Sequence, residues 1–330
     1  MNIDTRGRRR TLRALTGMAA LAGLPGLARA DNKYPDKAIT LLVPQPVGGD
    51  ADAVCRLLQP HWRQALGQSL IIDNRAGAAG NIGTAAGARA PSDGYTLTFV
   101  NQSTMAINPF LYKDPGYQVA ELEPVSLMTS IDLIICAHPS VPANNLAELL
   151  EQARRRPGAF TYGTAGNGSA NHLAGEMLKS MAGVNLVHVP YRGGGPAMIG
   201  ALGGEISTVV AFPLAALPHI RAGKLRALAT TGSTRSAALP QVPTVAESGV
   251  AGYEFVSWMG LAAPKGTARD RIDIIDQATR RALAEPDVRR RFAEGMTTAV
   301  GKGPEALREL IAKESGKMSA LISRFQLKID

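Results

Sequence analysis

Three times along this chain a short apolar strand runs into a glycine-rich turn and out into a helix. The segments are Val43-Pro44-Gln45-Pro46-Val47-Gly48-Gly49-Asp50, Tyr162-Gly163-Thr164-Ala165-Gly166-Asn167-Gly168-Ser169 and Val189-Pro190-Tyr191-Arg192-Gly193-Gly194-Gly195-Pro196. A strand, turn and helix in succession form the first half of a βαβ crossover, which requires a parallel partner strand and helices covering the sheet. The same turns restrict function. A helix amino terminus presents unpaired N–H donors and the positive end of the dipole, and glycine lets an anion reach the backbone, so each turn can hold a carboxylate. A hydrogen bond to a charged group contributes roughly 1.5–3 kcal/mol, and the dipole up to about 2 kcal/mol. About four or five such contacts, after the cost of association, reach the roughly 8 kcal/mol of a micromolar complex without a cationic side chain.

The alternation continues along nearly the whole chain after Asp31. Residues 39–44, 69–73 and 95–100 read as strands. A helix from Asp50 or Asp52 to Leu66 has Val54, Leu57, Leu58, Trp62 and Leu66 on its apolar face, with Pro60 expected to kink or split it. Residues 83–90 form a helix of small side chains. Further strands are expected at 133–137, 160–163, 186–189, 206–211, 225–230 and 256–263. Helices are expected at 145–155, capped by Asn144 or Asn145, at 169–182 and at 196–202, and the tail from Ala268 reads as helical through 304–325. There is no low-complexity linker and no exact repeat. The reading is an α/β fold of two lobes with mainly parallel sheets, 31–130 plus 255–330 and 131–254, closing about a hinge near 128–132 and 254–258.

The chain has 330 residues, 45% of them hydrophobic, with 35 glycines, enough for two cores of ordinary size. Of the net charge of +9, five units lie in the first 30 residues, where six arginines face Asp4. The remainder shows no basic stripe interleaved with aromatics, so a nucleic-acid partner is excluded. Residues 1–30 read as a signal peptide: arginines, a largely apolar run from Ala14 to Leu27 broken by Pro25, and the cleavage signal Ala28-Arg29-Ala30. Arg8-Arg9-Arg10-Thr11-Leu12-Arg13 also resembles a twin-arginine signal with Thr11 where phenylalanine is usual, so Sec and Tat export both stay open. The mature protein is expected to be exported, cleaved near Ala30 and soluble. Cys55 and Cys136 lie far apart outside any CxxC spacing and are expected as buried free thiols.

Other chemistries fail on the same residues. Gly166-Asn167-Gly168 does not continue into a dinucleotide fingerprint because Asn171 holds its last position, and no phosphate-binding loop with G-K-[ST] exists, so no cofactor is expected. Ser169 and His172 suggest a nucleophile and base, yet residues three apart on a helix are ordinary neighbours, and a Ser169-centred hydrolase is the rival reading set aside. His61, His138, His188 and His219 lack metal-ligand spacing, and no metal site is expected.

Longer stretches carry a resemblance. Asn74-Arg75-Ala76-Gly77-Ala78-Ala79-Gly80-Asn81-Ile82-Gly83, Pro91-Ser92-Asp93-Gly94-Tyr95-Thr96-Leu97, Ala106-Ile107-Asn108-Pro109 and His172-Leu173-Ala174-Gly175-Glu176 come first. Val187-His188-Val189-Pro190-Tyr191-Arg192-Gly193, Gly223-Lys224-Leu225-Arg226-Ala227-Leu228-Ala229 and Pro243-Thr244-Val245-Ala246-Glu247 follow. In this order they resemble the substrate-binding proteins of tripartite tricarboxylate transporters, the Bug family. The resemblance implies a type II periplasmic-binding-protein fold, two lobes around a ligand cleft, and a small carboxylate ligand such as a di- or tricarboxylate, an amino acid or an aromatic acid. It implies a monomer that serves membrane permease subunits or, alternatively, a sensor kinase of a two-component system. Carried onto this chain, the cleft would be lined by Gln45, Gly48, Gly49 and Asp50, by Ser103 and Thr104, by Thr164, Ala165, Gly168 and Ser169, and by Tyr191 and Gly193, with the Thr164 and Ser169 hydroxyls as extra donors. Three departures stand out. Gln45 replaces a common Phe, Asp50-Ala51 replaces Gly and a hydroxyl residue, and Val210-Ala211-Phe212 replaces Phe-Asp-Asn. Losing that acid implies a ligand without an ammonium group, with Phe212 as an apolar wall.

Overall fold

The computed structural model describes residues 34–324 and 327, so the signal-peptide reading lies outside the described residues. The chain begins with β1 (Ile39–Val43), α1 (Asp50–Leu66), β2 (Leu70–Asn74), α2 (Asn81–Ala88) and β3 (Thr96–Asn101). A π-helical turn Ser103–Ile107 leads into α3 (Asn108–Leu111) and the long β4 (Leu122–Asp132). Next come β5 (Ile134–Ala137), α4 (Leu146–Arg155), β6 (Thr161–Thr164), α5 (Ala170–Ala182), β7 (Val187–Pro190) and α6 (Gly194–Leu202). They are followed by β8 (Thr208–Ala211), α7 (Pro213–Arg221) and β9 (Arg226–Thr230). The chain ends in β10 (Val256–Pro264), α8 (Arg269–Ala284), α9 (Pro286–Glu294), β11 (Thr297–Lys302) and α10 (Pro304–Arg324).

Two sheets result, one ordered β11-β4-β10-β3-β1-β2 and the other β7-β6-β8-β5-β9. Pairing is parallel for β1 with β2 and β3 and for β6 with β7 and β8, and antiparallel for β10 with β3 and β4, β11 with β4, and β5 with β8 and β9. The expected parallel majority is therefore corrected to two mixed sheets. The strand-turn-helix signature marks the crossover units alone. The strands that enter a sheet directly from the other sheet, β5 after β4 and β10 after β9, have no helix before them and run opposite to the crossover strands.

Passage between the sheets occurs at two adjacent points. Leu133 N–H donates to Thr231 Oγ1 at 2.8 Å, Thr231 N–H to the Leu133 carbonyl at 3.0 Å, and Phe255 N–H to the Thr231 carbonyl at 2.9 Å. Thr231 Oγ1 also donates to the Phe255 carbonyl at 2.6 Å, so one buried threonine ties the outgoing and returning segments together. Across this junction Ala106, Ile107, Leu111, Met318 and Ile322 join Tyr162, Leu173, Val210 and Phe255 in one buried cluster.

Helix α1 runs unbroken through Pro60. Pro60 and Arg56 are both exposed, so the bond that Pro60 cannot make is lost on the outer side of the helix and the expected split does not occur. The opposite face of the helix buries Val54, Leu58 and Trp62, and Trp62 Nε1 donates to Thr279 Oγ1 on α8 at 3.1 Å. Asn145 caps α4 by accepting from Glu148 N–H at 2.9 Å, which settles the choice between Asn144 and Asn145. Cys55 and Cys136 are free and buried. The tail is not helical throughout, because Glu285-Pro286 divides α8 from α9 and β11 adds an edge strand.

Candidate functional site

The first glycine turn is held by Asp52. Its Oδ2 accepts Gly48 N–H at 2.9 Å and Arg56 Nε at 2.9 Å. Desolvation opposes ionisation of Asp52, but the Arg56 hydrogen bond, Gly48 N–H, Asn74 and the Arg56 charge together keep its carboxyl below the usual range. Gly49, the N-cap of α1, donates to the Pro46 carbonyl at 3.1 Å, and the Gln45 carbonyl accepts Asn74 Nδ2 at 3.1 Å. Asp50, the first residue of α1, is partly accessible, yet desolvation raises its carboxyl to about 6, against a smaller opposing pull from its own N–H.

The second and third turns are joined. Tyr191 N–H donates to the Thr164 carbonyl at 3.1 Å and Gly193 N–H to the Ala165 carbonyl at 3.2 Å. Ser169 caps α5, accepting His172 N–H at 3.2 Å and donating to the Gly166 carbonyl at 2.7 Å. Thr164 Oγ1 is engaged by His188 Nε2 at 2.6 Å and by Gly166 N–H at 3.2 Å. The expected extra donors, the Thr164 and Ser169 hydroxyls, are thus committed within the turn. Serine 169 also meets the backbone of His172 and not its ring, so the geometry of a Ser-His dyad is not formed. The Tyr191 hydroxyl donates to Glu205 Oε2 at 3.3 Å, so its phenol and its N–H are both engaged within the protein.

Glycines bring the remaining parts together. A side chain on Gly193 would start 4.0 Å from Pro46 Cγ, so the third turn faces the first. One on Gly168 would strike Leu111 at 2.8 Å and lie 3.4 Å from Asn108 Oδ1, so the second turn faces α3. Gly80 would meet Thr104 Cγ2 at 3.0 Å and the Pro44 carbonyl at 3.3 Å, which stacks the Arg75–Gly80 loop on the first turn. Thr104 is buried, and its hydroxyl and N–H bond Asn101, so it builds the floor and offers no donor; the Ser103 hydroxyl beside it has no hydrogen-bond partner among the described residues, while the Ser103 carbonyl accepts the Asn108 N–H. Phe212 begins α7 half-buried against the central apolar cluster, beside the start of α5, where Asn171 Nδ2 donates to the Val210 carbonyl at 2.7 Å.

Each of the three turns also leaves free backbone donors. By helix geometry the first N–H groups of α1, α5 and α6 lack intrahelical acceptors, and among the described residues Ala51, Ala170, Asn171, Gly194 and Gly195 have no other backbone partner. Asn108, Asn81 and Ala79, absent from the expected site, support this floor. Asn108 Nδ2 bridges the Ala79 carbonyl at 3.1 Å and Asn81 Oδ1 at 2.6 Å, holding Ala78 and Ala79 at φ 46° and 51°. Left-handed backbone at two alanines is strain that the surroundings must sustain, and such strain concentrates at ligand sites. Two features lie elsewhere. A hollow of about 350 Å³ lined by Asn145, Arg226 and Gln241 spends its arginine on the Val141 and Ala143 carbonyls. The fold also brings His61, Glu285 and Asp287 within 4.8 Å of one another, although His61 is about 16 Å along α1 from Asp50.

The model of the tripartite tricarboxylate transporter family receptor matches residues 54–327. This chain belongs to that family. Among solved family structures, the periplasmic binding protein BugD is 33% identical with a TM-score of 0.84, covering 89% of this chain and 99% of its own. Rpa4515 of R. palustris, solved with adipate, is 30% identical with a TM-score of 0.86 over 89% and 99% of the two chains. MatC of Rhodopseudomonas palustris, solved with bound malate, is 28% identical with a TM-score of 0.82 over 88% and 100%. These tricarboxylate-receptor relatives are substrate-binding proteins and not enzymes, and they fix the fold of this receptor as two α/β lobes of the periplasmic-binding-protein type. Among the described residues of the receptor no helix is long and apolar enough to cross a membrane.

Proposed function

We propose that this protein is exported to the periplasm, captures a small di- or tricarboxylate or other organic acid between lobes 31–130 plus 255–330 and 131–254, and as a monomer delivers it to tripartite tricarboxylate permease subunits. The observation that carries this reading is the meeting of three glycine turns. The second and third are hydrogen-bonded to each other, and the third reaches the first at Pro46, which supports a site served by the first N–H groups of three helices. One carboxylate is received by Ala170 and Asn171 N–H of the second turn. Gly194 and Gly195 N–H and the Ser103 hydroxyl add donors, Gln45 and Asp50 set the opposite rim, and Phe212 forms an apolar wall. The adipate and malate complexes of relatives support an acid of that size. Ala211 offers no counter-charge to an amine, so the ligand carries no ammonium group.

The test is to purify the exported protein, unfold it and identify the released small molecule by mass spectrometry, then to titrate malate, adipate and aspartate calorimetrically. An organic acid is expected in the released fraction, with malate or adipate binding tighter than aspartate. Release of no acid, together with no binding in a wider panel of di-, tri- and aromatic carboxylates, would overturn the proposal.

A further inference from the structure

Beneath the second glycine turn three rings stack. Tyr162 on β6 and His188 on β7 have centroids 4.9 Å apart, and His188 and His172 on α5 lie 4.2 Å apart with planes inclined by 22°. Each histidine makes one bond into the turn above. His172 Nδ1 accepts Gly168 N–H at 3.3 Å, which leaves its ring proton on Nε2. His188 Nε2 meets Thr164 Oγ1 at 2.6 Å, while Thr164 Oγ1 accepts Gly166 N–H at 3.2 Å. Thr164 Oγ1 is thereby clamped between the His188 ring and the Gly166 N–H, with His188 Nε2 as acceptor or donor according to its tautomer. The His172 bond requires an uncharged ring, whereas the His188 bond is made with its Nε2 in either role.

We propose that His172 and His188 are positioning residues of the ligand site: stacked and neutral, they tie down the Gly166 and Gly168 amides so that the first N–H groups of α5 remain open to a carboxylate. This rests on the ligand-capture reading above. Neither histidine touches the ligand; they act through the backbone of the turn.

The surroundings favour neutrality. Burial pushes both histidines down to about 4; the His172 charge acts the same way on His188 and the Lys179 charge on both, while Glu176 acts against them. The charged groups facing the pair are Glu176 and Lys179 on α5, and the phenol of Tyr162 faces it from β6. Glu176 is the counter-charge within reach, 3.9 Å from His172 Nε2, but it already accepts Lys179 Nζ at 2.7 Å and the Tyr162 hydroxyl. A proton added to His172 Nδ1 would set donor against donor at Gly168, and a second on His188 would place two cations at the stacking distance. Because these bases are depressed below their unfolded value of 6.5, the stability they provide is full above pH 6.5 and is lost as pH falls toward 4.

The deciding experiment compares His172→Leu, His172→Gln, His188→Leu and His188→Gln with the wild type, since glutamine keeps an acceptor and leucine does not. Amide exchange by NMR at pH 7 is read first, without ligand. Leucine variants are expected to speed exchange of Gly168 or Gly166 at least about tenfold, and glutamine variants less than about threefold. Affinity for malate and adipate should follow the same order. Below pH 5 the wild type should lose affinity beyond the ligand's own titration, and the double glutamine variant should not. Equal effects of leucine and glutamine, unchanged exchange in the leucine variants, or an identical pH profile in the double variant would overturn the proposal. If a leucine variant does not fold, the pH comparison with the double glutamine variant decides. If the wild type binds neither acid, the ligand reading fails separately and the exchange comparison still judges the positioning role.

Discussion

Gly193 and Pro46 meet at the point where the turn before α6 reaches the turn before α1, with 4.0 Å between Pro46 Cγ and the position of a side chain on Gly193. Gly193 also has φ +117°, where any other residue is strained by about 1–3 kcal/mol. Gly193→Val is therefore expected to lower thermal stability and to weaken malate or adipate binding at least about tenfold. Gly195 has open space around it and an ordinary φ, so Gly195→Ala should leave the melting temperature unchanged. Calorimetry and thermal melts read both outcomes. Wild-type affinity in the valine variant would remove the ground for convergent turns.

Ser169 gives a second expectation, because its hydroxyl is a helix cap and not a nucleophile. Ser169→Ala should cost about 1 kcal/mol, a fall of about 2–4 °C in melting temperature, and Ser169→Asp should restore most of it by capping the same His172 N–H. A melting temperature unmoved by alanine would show that the cap contributes nothing.

The strand-turn-helix units could be read in the sequence because each carries its own punctuation: apolar strand, glycine, N-cap, amphipathic helix. Strand β4 could not, since Glu123, Pro124, Ser126 and Thr129 break every period, and its burial comes from partners β10 and β11 that are distant in the chain. Helix α7 was hidden by Pro213 and Pro218, the first tolerated at the helix start and the second on an exposed position. The glycine turns of the site were legible, but the fates of the Thr164 and Ser169 hydroxyls were not, because a hydroxyl's partner depends on the third dimension. Asn81 and Asn108 stood within motifs of the sequence, yet their pairing across 27 residues left no local trace.

The two thiols allow a chemical check. Burial pushes Cys136 up to about 12, and Cys55, buried beside the Asp52 charge, is raised further. A thiolate-specific reagent at pH 8 is expected to label neither in the folded protein and both after unfolding. Labelling of one equivalent faster than global unfolding would place a cysteine at the surface.

Asp50 makes the sharpest test of where the ligand charge lies. Its carboxyl is held at about 6 by desolvation, with no cationic partner among the described residues, against 3.8 when unfolded. A group raised in this way stabilises the fold fully below pH 3.8 and loses that contribution as pH rises through 6. A ligand carboxylate settling nearby would raise it further, so binding takes up a proton and affinity falls as pH increases above 6, by at most about tenfold per unit. Asp50→Asn keeps the size and removes the charge. Its affinity for malate should be nearly flat from pH 6 to 8.5 and exceed that of the wild type most at the alkaline end. Subtracting the two profiles cancels the ligand's own ionisation, and parallel profiles would mean that Asp50 lies too far from the bound acid to sense it.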